Sequence, residues 1–385
     1  GWNPVTPEEL IQQLRGLATK AAGGDPPSTE RRRELAHAVQ KALEPCPEGW
    51  KRLPAVCFAL GEFYAALGDA YFEQAREHYL AAIRQEDSNG GVPIRAIEQL
   101  ANLEARTGLA TADEDLIRLG LGRLEGLVQL AGAGASPLSP ATKGAKEVPP
   151  PSNPERAALM GGTYKRLAAV LAANLLRAQD REQATANTPE GEKIHDALDL
   201  AIDWYCQGGD QPYQVLNRLG LEAVRTMGGR AKPAAIRQAR ECANHARMAW
   251  RSNPDFWNAV MPADALLTER LLDHSLGVKG DSGNDALAAV AKAYADALAH
   301  VPGTPREKDS VLEHLRILQV LFQAQGQLEP RLAGRASLIA ERLDLIALQL
   351  GEQAPMGIDD ASTAHTAWDD DDGAGDDEDS EIVTM

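Results

Sequence analysis

Apolar residues along this chain recur every three or four positions, the period of an amphipathic helix, and no segment alternates with the period of two that a half-buried strand requires. Helix-start signals agree with that period. Thr6-Pro7-Glu8-Glu9 combines an N-cap, a Pro at the first helical position and a capping-box Glu. Thr304-Pro305-Arg306-Glu307 repeats the device, and Thr111-Ala112-Asp113-Glu114 reads as another box. Between such signals the pattern predicts about fourteen helices, near 7–21, 29–44, 51–67, 70–86, 93–107, 112–131, 155–178, 189–206, 212–227, 233–251, 254–274, 284–300, 305–325 and 329–350. The chain reads as all-α.

The sharpest pattern is Leu60-Gly61-x-x-Tyr64-x-x-x-Gly68 followed by Ala75-x-x-x-Tyr79-x-x-Ala82. Each half places its members on one helical face, small residues alternate with large ones, and Gly68 marks the turn between. This is the signature of a tetratricopeptide-type helical hairpin. The first unit carries two extra residues between Gly68 and Ala75 and lacks the Pro that usually closes the second helix. Leu100-Ala101-x-x-Glu104-x-x-x-Gly108 and Met160-Gly161-x-x-Tyr164 are weaker copies, and later helices fit no consensus well. A lone hairpin cannot bury its apolar face, so the expectation is a tetratricopeptide-like α-solenoid, whose usual business is holding other proteins.

Composition divides this array. Residues 132–153, rich in Gly, Ala and Pro, read as a flexible loop between N-terminal repeats (1–131) and C-terminal repeats (154–350). From Gly351 to Met385 there are twelve Asp or Glu and no Lys or Arg, so 351–385 reads as a disordered acidic tail. The tail accounts for most of the net charge of −17, leaving about −5 for the rest. Neither part offers the basic stripe that nucleic acid requires. No apolar run is long enough for a membrane span, no secretory signal opens the chain, and four Cys without a C-x-x-C fit a reducing, cytoplasmic setting. The opening Gly1-Trp2-Asn3-Pro4, without Met, reads as a processed or excised piece of a longer protein.

Candidate chemistry is thin. No P-loop, G-x-S-x-G, H-E-x-x-H or dinucleotide fingerprint occurs, and no cofactor is implied. Cys57 reads as core. Cys242 and His245, three apart on one helix, fall short of the four ligands of a zinc site, so no metal is expected. A calcium loop with Gly373 at its sixth position would need an oxygen ligand where Trp368 stands. Two aromatic groupings, Trp257 with Met261 and Asp264, and Tyr213 with Leu216 and Asn217, read as core anchors, with Asp264 capping or pairing inside.

The repeat register offers a partner-binding groove. If Leu60, Leu100 and Met160 hold equivalent places, the groove-facing positions include Phe58 and Glu62, then Arg95, Glu98, Asn102 and Arg106, then Lys165 and Arg166. Their Asn, Arg and Lys side chains would donate to a peptide backbone or carboxylate, with Phe58 as an apolar anchor. The plain alternative is a set of solvated helix faces.

Taken in order, the stretches ALGEFYAALGDAYFEQAREHYLAAI, AIEQLANLEARTG, LMGGTYKRLA, PYQVLNRLGLEA, NPDFWNAVMPADALLTERLL and REKDSVLEHLRILQVLF resemble the helical region of bacterial CHAT proteins, caspase-like peptidases that often carry tetratricopeptide repeats. The family's catalytic domain holds a His–Cys dyad on an α/β sheet, and nothing here resembles it. The resemblance implies a non-enzymatic module that docks a caspase-like peptidase domain, its activator or its substrate, in bacterial stress or anti-phage defence. Two other readings stay open: part of a cysteine peptidase whose catalytic domain lies outside this chain, or a proteolytic substrate cut in the 132–153 loop.

Overall fold

The computed structural model describes residues 4, 6–22, 29–84, 91–133, 153–178 and 184–352. Every regular element among them is helical: fifteen α-helices and three short 3-10 turns. The helices are α1 (Pro7–Ala22), α2 (Thr29–Leu43), α3 (Glu48–Lys51), α4 (Pro54–Leu67), α5 (Phe72–Arg84), α6 (Gly91–Thr111), α7 (Glu114–Ala133), α8 (Pro154–Arg177), α9 (Pro189–Gln207), α10 (Pro212–Arg225), α11 (Pro233–Trp250), α12 (Phe256–Leu272), α13 (Asp281–His300), α14 (Pro305–Leu328) and α15 (Ala333–Glu352). The all-α, tetratricopeptide-like reading holds, with α3 as the added element. The acidic tail, and all but the edges of the 132–153 loop, lie outside the described residues.

Local chemistry explains most helix starts. Asn153, Thr188 and Asp255 each accept a backbone N–H of the first turn of α8, α9 and α12. Thr304 and Glu307 form the reciprocal capping box of α14. Pro occupies the first helical position of α4, α8, α9, α10, α11 and α14, where its missing N–H costs no bond. The two residues inserted after Gly68 are taken up by a 3-10 turn, Asp69–Tyr71, entered through Gly68 at φ 98°.

Two starts differ from the pattern. α6 does not stop near 107 but continues through Gly108 to Thr111, and the cap of α7 is Asp113, which accepts Leu116 N–H at 3.1 Å. Gly108 is therefore no turn residue. It is needed because a Cβ there would lie 2.5 Å from Ile117 and 2.8 Å from the Asp113 carbonyl. The stretch 281–285, which reads as loop, forms the first turn of α13. A Cβ on Gly283 would strike the Val278 carbonyl at 2.0 Å and the Arg342 guanidinium at 2.4 Å.

Helices pair as hairpins α4/α5, α6/α7, α8/α9 and α14/α15, with α11 packed on α12 and α12 on α13. Three tyrosines occupy one register on the second helices. Tyr79, Tyr205 and Tyr294 are the largest side chains fully withdrawn from solvent, each with a small or β-branched residue four before and Ala or Gly three after. Apolar packing forms two main clusters. One joins α1 to the first half of α6, as far as Leu103; the other starts at Ala105 and runs through α15. The stack is not a simple succession. α14 returns to pack on α8 and also touches α10, so the C-terminal hairpin closes over the inner face that α6 and α8 begin.

Candidate functional site

One face of α6 carries Arg95, Glu98, Asn102 and Arg106 at helical spacing, and α8 packs against α6. Glu98 accepts a charge-assisted hydrogen bond from Arg156 of α8 at 2.9 Å. Two turns further along, Arg106, Lys165 and Arg166 come together, and α14 supplies Glu313. The Arg166 guanidinium holds Glu313 Oε1 through Nε at 3.0 Å and Nη2 at 2.8 Å. Lys165 donates to Asn217 Oδ1 of α10 at 2.7 Å, and Asn217 Nδ2 donates to the Tyr213 carbonyl at 3.0 Å. Behind Lys165 stands Asp264 of α12, which accepts the Tyr294 hydroxyl at 2.5 Å.

This recess is electrostatically tense. Burial drives the Lys165 ammonium down to about 8, and neighbouring Arg166 pushes the same way against Glu313 and Asp264. Burial likewise lowers Arg106 to about 10, with Arg166 again adding repulsion. Desolvation works against the Glu313 carboxylate, yet Arg166, Arg106 and Lys165 together hold it below the usual range. Burial raises Asp264 to about 6 despite the Tyr294 hydrogen bond and Lys165. His314, on α14, is driven to about 3 by burial and by Lys165, so it is neutral at physiological pH. Tyr213, close to Arg166, keeps 38% of its surface, and desolvation still raises its phenol.

Four groove candidates, Asn102, Arg106, Lys165 and Arg166, belong to this inner region. Asn102, Lys165 and Arg166 are buried rather than spread over a solvated surface. Phe58 is not an exposed anchor. It is 2% exposed, packs on Tyr79 with ring centroids 5.8 Å apart, and is capped by the exposed Arg95 guanidinium at 5.5 Å. Glu62 lies 3.8 Å from Arg15 of α1, tying α4 to the N-terminal helix. Glu313 is not legible in sequence as the partner of Arg166, because nothing local announces that α14 returns to α8. Asp264, expected to cap or pair in the interior, is half-buried and accepts the hydroxyl of the buried Tyr294.

A second concavity, an open groove of about 570 Å³, runs between α11, α12 and α13. Ala243, Ala263, Ala297, Leu266 and Trp250 wall it, and its best-placed ions, Arg240 and Glu269, satisfy each other through two hydrogen bonds. Cys242 is buried, its thiol pushed up to about 11 by desolvation, which makes it a packing residue and a poor nucleophile. Among the described residues, no three His, Cys, Asp or Glu side chains gather as a metal set, and no helix is long and apolar enough to cross a membrane.

No curated protein matches the chain. The profile of the family described as Tetratricopeptide Repeats-Sensor matches residues 71–224, from the 3-10 turn through almost all of α10. That stretch carries Arg106, Lys165, Arg166 and Asn217 and stops short of Glu313. The chain thus contains a tetratricopeptide-like region, similar to the sensor type, within a larger helical solenoid.

Proposed function

We propose that this chain is a regulatory binding module for a caspase-like peptidase of the CHAT type, docking its activator or substrate on the inner helical face in bacterial stress or anti-phage defence. The observation that carries the reading is the convergence of polar and charged side chains from α6 and α8 on one concave face, within the stretch that matches a tetratricopeptide sensor family. Stacked helical hairpins bind through such faces. The peptidase assignment rests on the resemblance of the six stretches between residues 55 and 325.

The experiment is a titration of the chain into a purified caspase-like domain encoded with it, reading complex formation and hydrolysis of a fluorogenic peptide. Saturable binding with a changed hydrolysis rate is expected. Arg95→Glu combined with Glu98→Arg, at the accessible end of the face, should weaken the complex at least tenfold. Absence of both binding and rate change would remove the peptidase from the reading and leave the binding module.

A further inference from the structure

The groove between α11, α12 and α13 is walled by small side chains, among them Ala243, Ala259, Ala263 and Ala297, which leave about 570 Å³ of concave space unfilled. Its α11 side is basic. Arg237, Arg240, Arg247 and Arg251 follow at helical spacing along one exposed face of α11 and its C-cap, and Glu241 is the one carboxylate of that helix. The carboxylates nearest the groove are already engaged. Glu269 accepts two hydrogen bonds from Arg240, Asp296 pairs with Lys292, and Asp255 accepts from Asn253 and Asn258. Arg247 donates to the neutral Asn244 Oδ1 at 3.0 Å, and among the described residues no carboxylate pairs with Arg237, Arg247 or Arg251.

We propose that this groove is the seat of the chain's own acidic segment around Trp368, with the indole against the alanine walls and Asp369–Asp372 along Arg247 and Arg251. Trp368 is the one Phe, Trp or Tyr after Glu352, and four Asp follow it directly. No Lys or Arg occurs from Gly351 onward, so these carboxylates must find their cations on the helices. The exit point suits the contact. Leu350, in the last turn of α15, lines one small cavity with Val260 of α12 and Leu298 of α13, each one position from an alanine that walls the groove. Sixteen positions separate Glu352 from Trp368, a reach of about 50 Å when extended, and the helix to be rounded is about 10 Å thick. Tethering raises the effective concentration to about the millimolar range, so a contact too weak to join separate molecules suffices. A filled groove is closed to other proteins until the segment is displaced.

The test is fluorine NMR of the whole chain labelled with 5-fluorotryptophan, in which Trp368→Phe identifies the Trp368 resonance. In the parent that resonance is expected well away from its position in urea. Arg247→Glu combined with Arg251→Glu, both at exposed positions, should return it at least halfway, as should about 1 M salt, where the screening length falls to about 3 Å. The same charge change on α2, Arg33→Glu with Lys41→Glu, should leave it in place. Ala293→Gln fills the groove without altering charge and should also release the indole, with the helical circular dichroism and melting temperature confirming that the variant is folded. A parent resonance at the urea position, or one that the groove variants leave in place, overturns the proposal. A resonance that returns to the urea position on tenfold dilution assigns the seat to a second copy and overturns it as well. The changes at Arg95 and Glu98 should not move it, so this proposal and peptidase docking can fail separately.

Discussion

Hairpins α4/α5 and α6/α7 solve the same packing problem with opposite assignments. In the first, Gly61 on the leading helix lets the Tyr79 ring of the second approach so closely that a Cβ would lie 2.6 Å from it. Hairpin α8/α9 repeats this with Gly161 against Tyr205, at 3.0 Å. In α6/α7 the glycine has moved to the second helix, where Gly120 rests against the backbone carbonyl of Ala101 at 2.7 Å from a would-be Cβ. At the place of Tyr64 and Tyr164 stands Glu104, fully buried and held by both arms of Arg123 at 2.8 and 2.9 Å. The repeat therefore conserves one missing side chain per crossing and one well-partnered large group. It does not conserve which helix supplies them.

The largest test of this contrast is Arg123→Ala. It would leave Glu104 buried with Arg76 at 3.8 Å as its remaining ion-pair partner, and chemical denaturation should show a loss of about 3 kcal/mol. A loss below about 1 kcal/mol would mean the carboxylate is not the tyrosine's counterpart. Next is Gly120→Ala, expected to cost about 2 kcal/mol because the obstacle is backbone and cannot swing aside, even after the gain in helix propensity. Gly61→Ala should cost about 1.5 kcal/mol, and Gly161→Ala less, following their contact distances. Combining Gly61→Ala with Tyr79→Leu should cost less than the sum of the two single changes, and strict additivity would break the pairing.

Hairpin α12/α13 sharpens the comparison through pH. Tyr294 shares the register of Tyr79 and Tyr205, but its hydroxyl is given to Asp264. Burial raises the folded carboxyl from 3.8 to about 6, so the folded state holds the proton more tightly than the unfolded one. Its stabilising contribution is full below pH 3.8 and is lost as pH rises through 6. Asp264→Asn keeps an acceptor for Tyr294 without the charge. Relative to the parent, it should be about 1 kcal/mol more favourable at pH 7 than at pH 4. An equal effect at both pH values would show that the carboxyl does not titrate anomalously.

Much of this was legible in advance, for definable reasons. Caps such as Thr304 with Glu307 announce helices locally, and Gly61, Tyr64 and Tyr79 encode a close crossing in residue size alone. The register of Tyr79 is also present at Ala201-x-x-x-Tyr205-x-x-Gly208, with Gly in place of the final Ala. Gly108 misled because a glycine near a helix end fits a turn and a tight interhelical contact equally well. Asn102, Arg106, Lys165 and Arg166 could be placed by their shared face. Glu313, the partner of Arg166, could not, since it lies on a helix distant in sequence and without repeat consensus.

The bond between Arg166 and Glu313 spans 147 positions of sequence, and α14 lies on α8 along much of the same seam. Loop closure of that length is paid before the contact rewards it. The hairpins up to α7 can assemble one upon the next as the chain emerges, in the manner of an open array. The portion from α8 onward must await its last hairpin, so it should gain and lose structure in a single concerted step, and end-on growth would stop at α8.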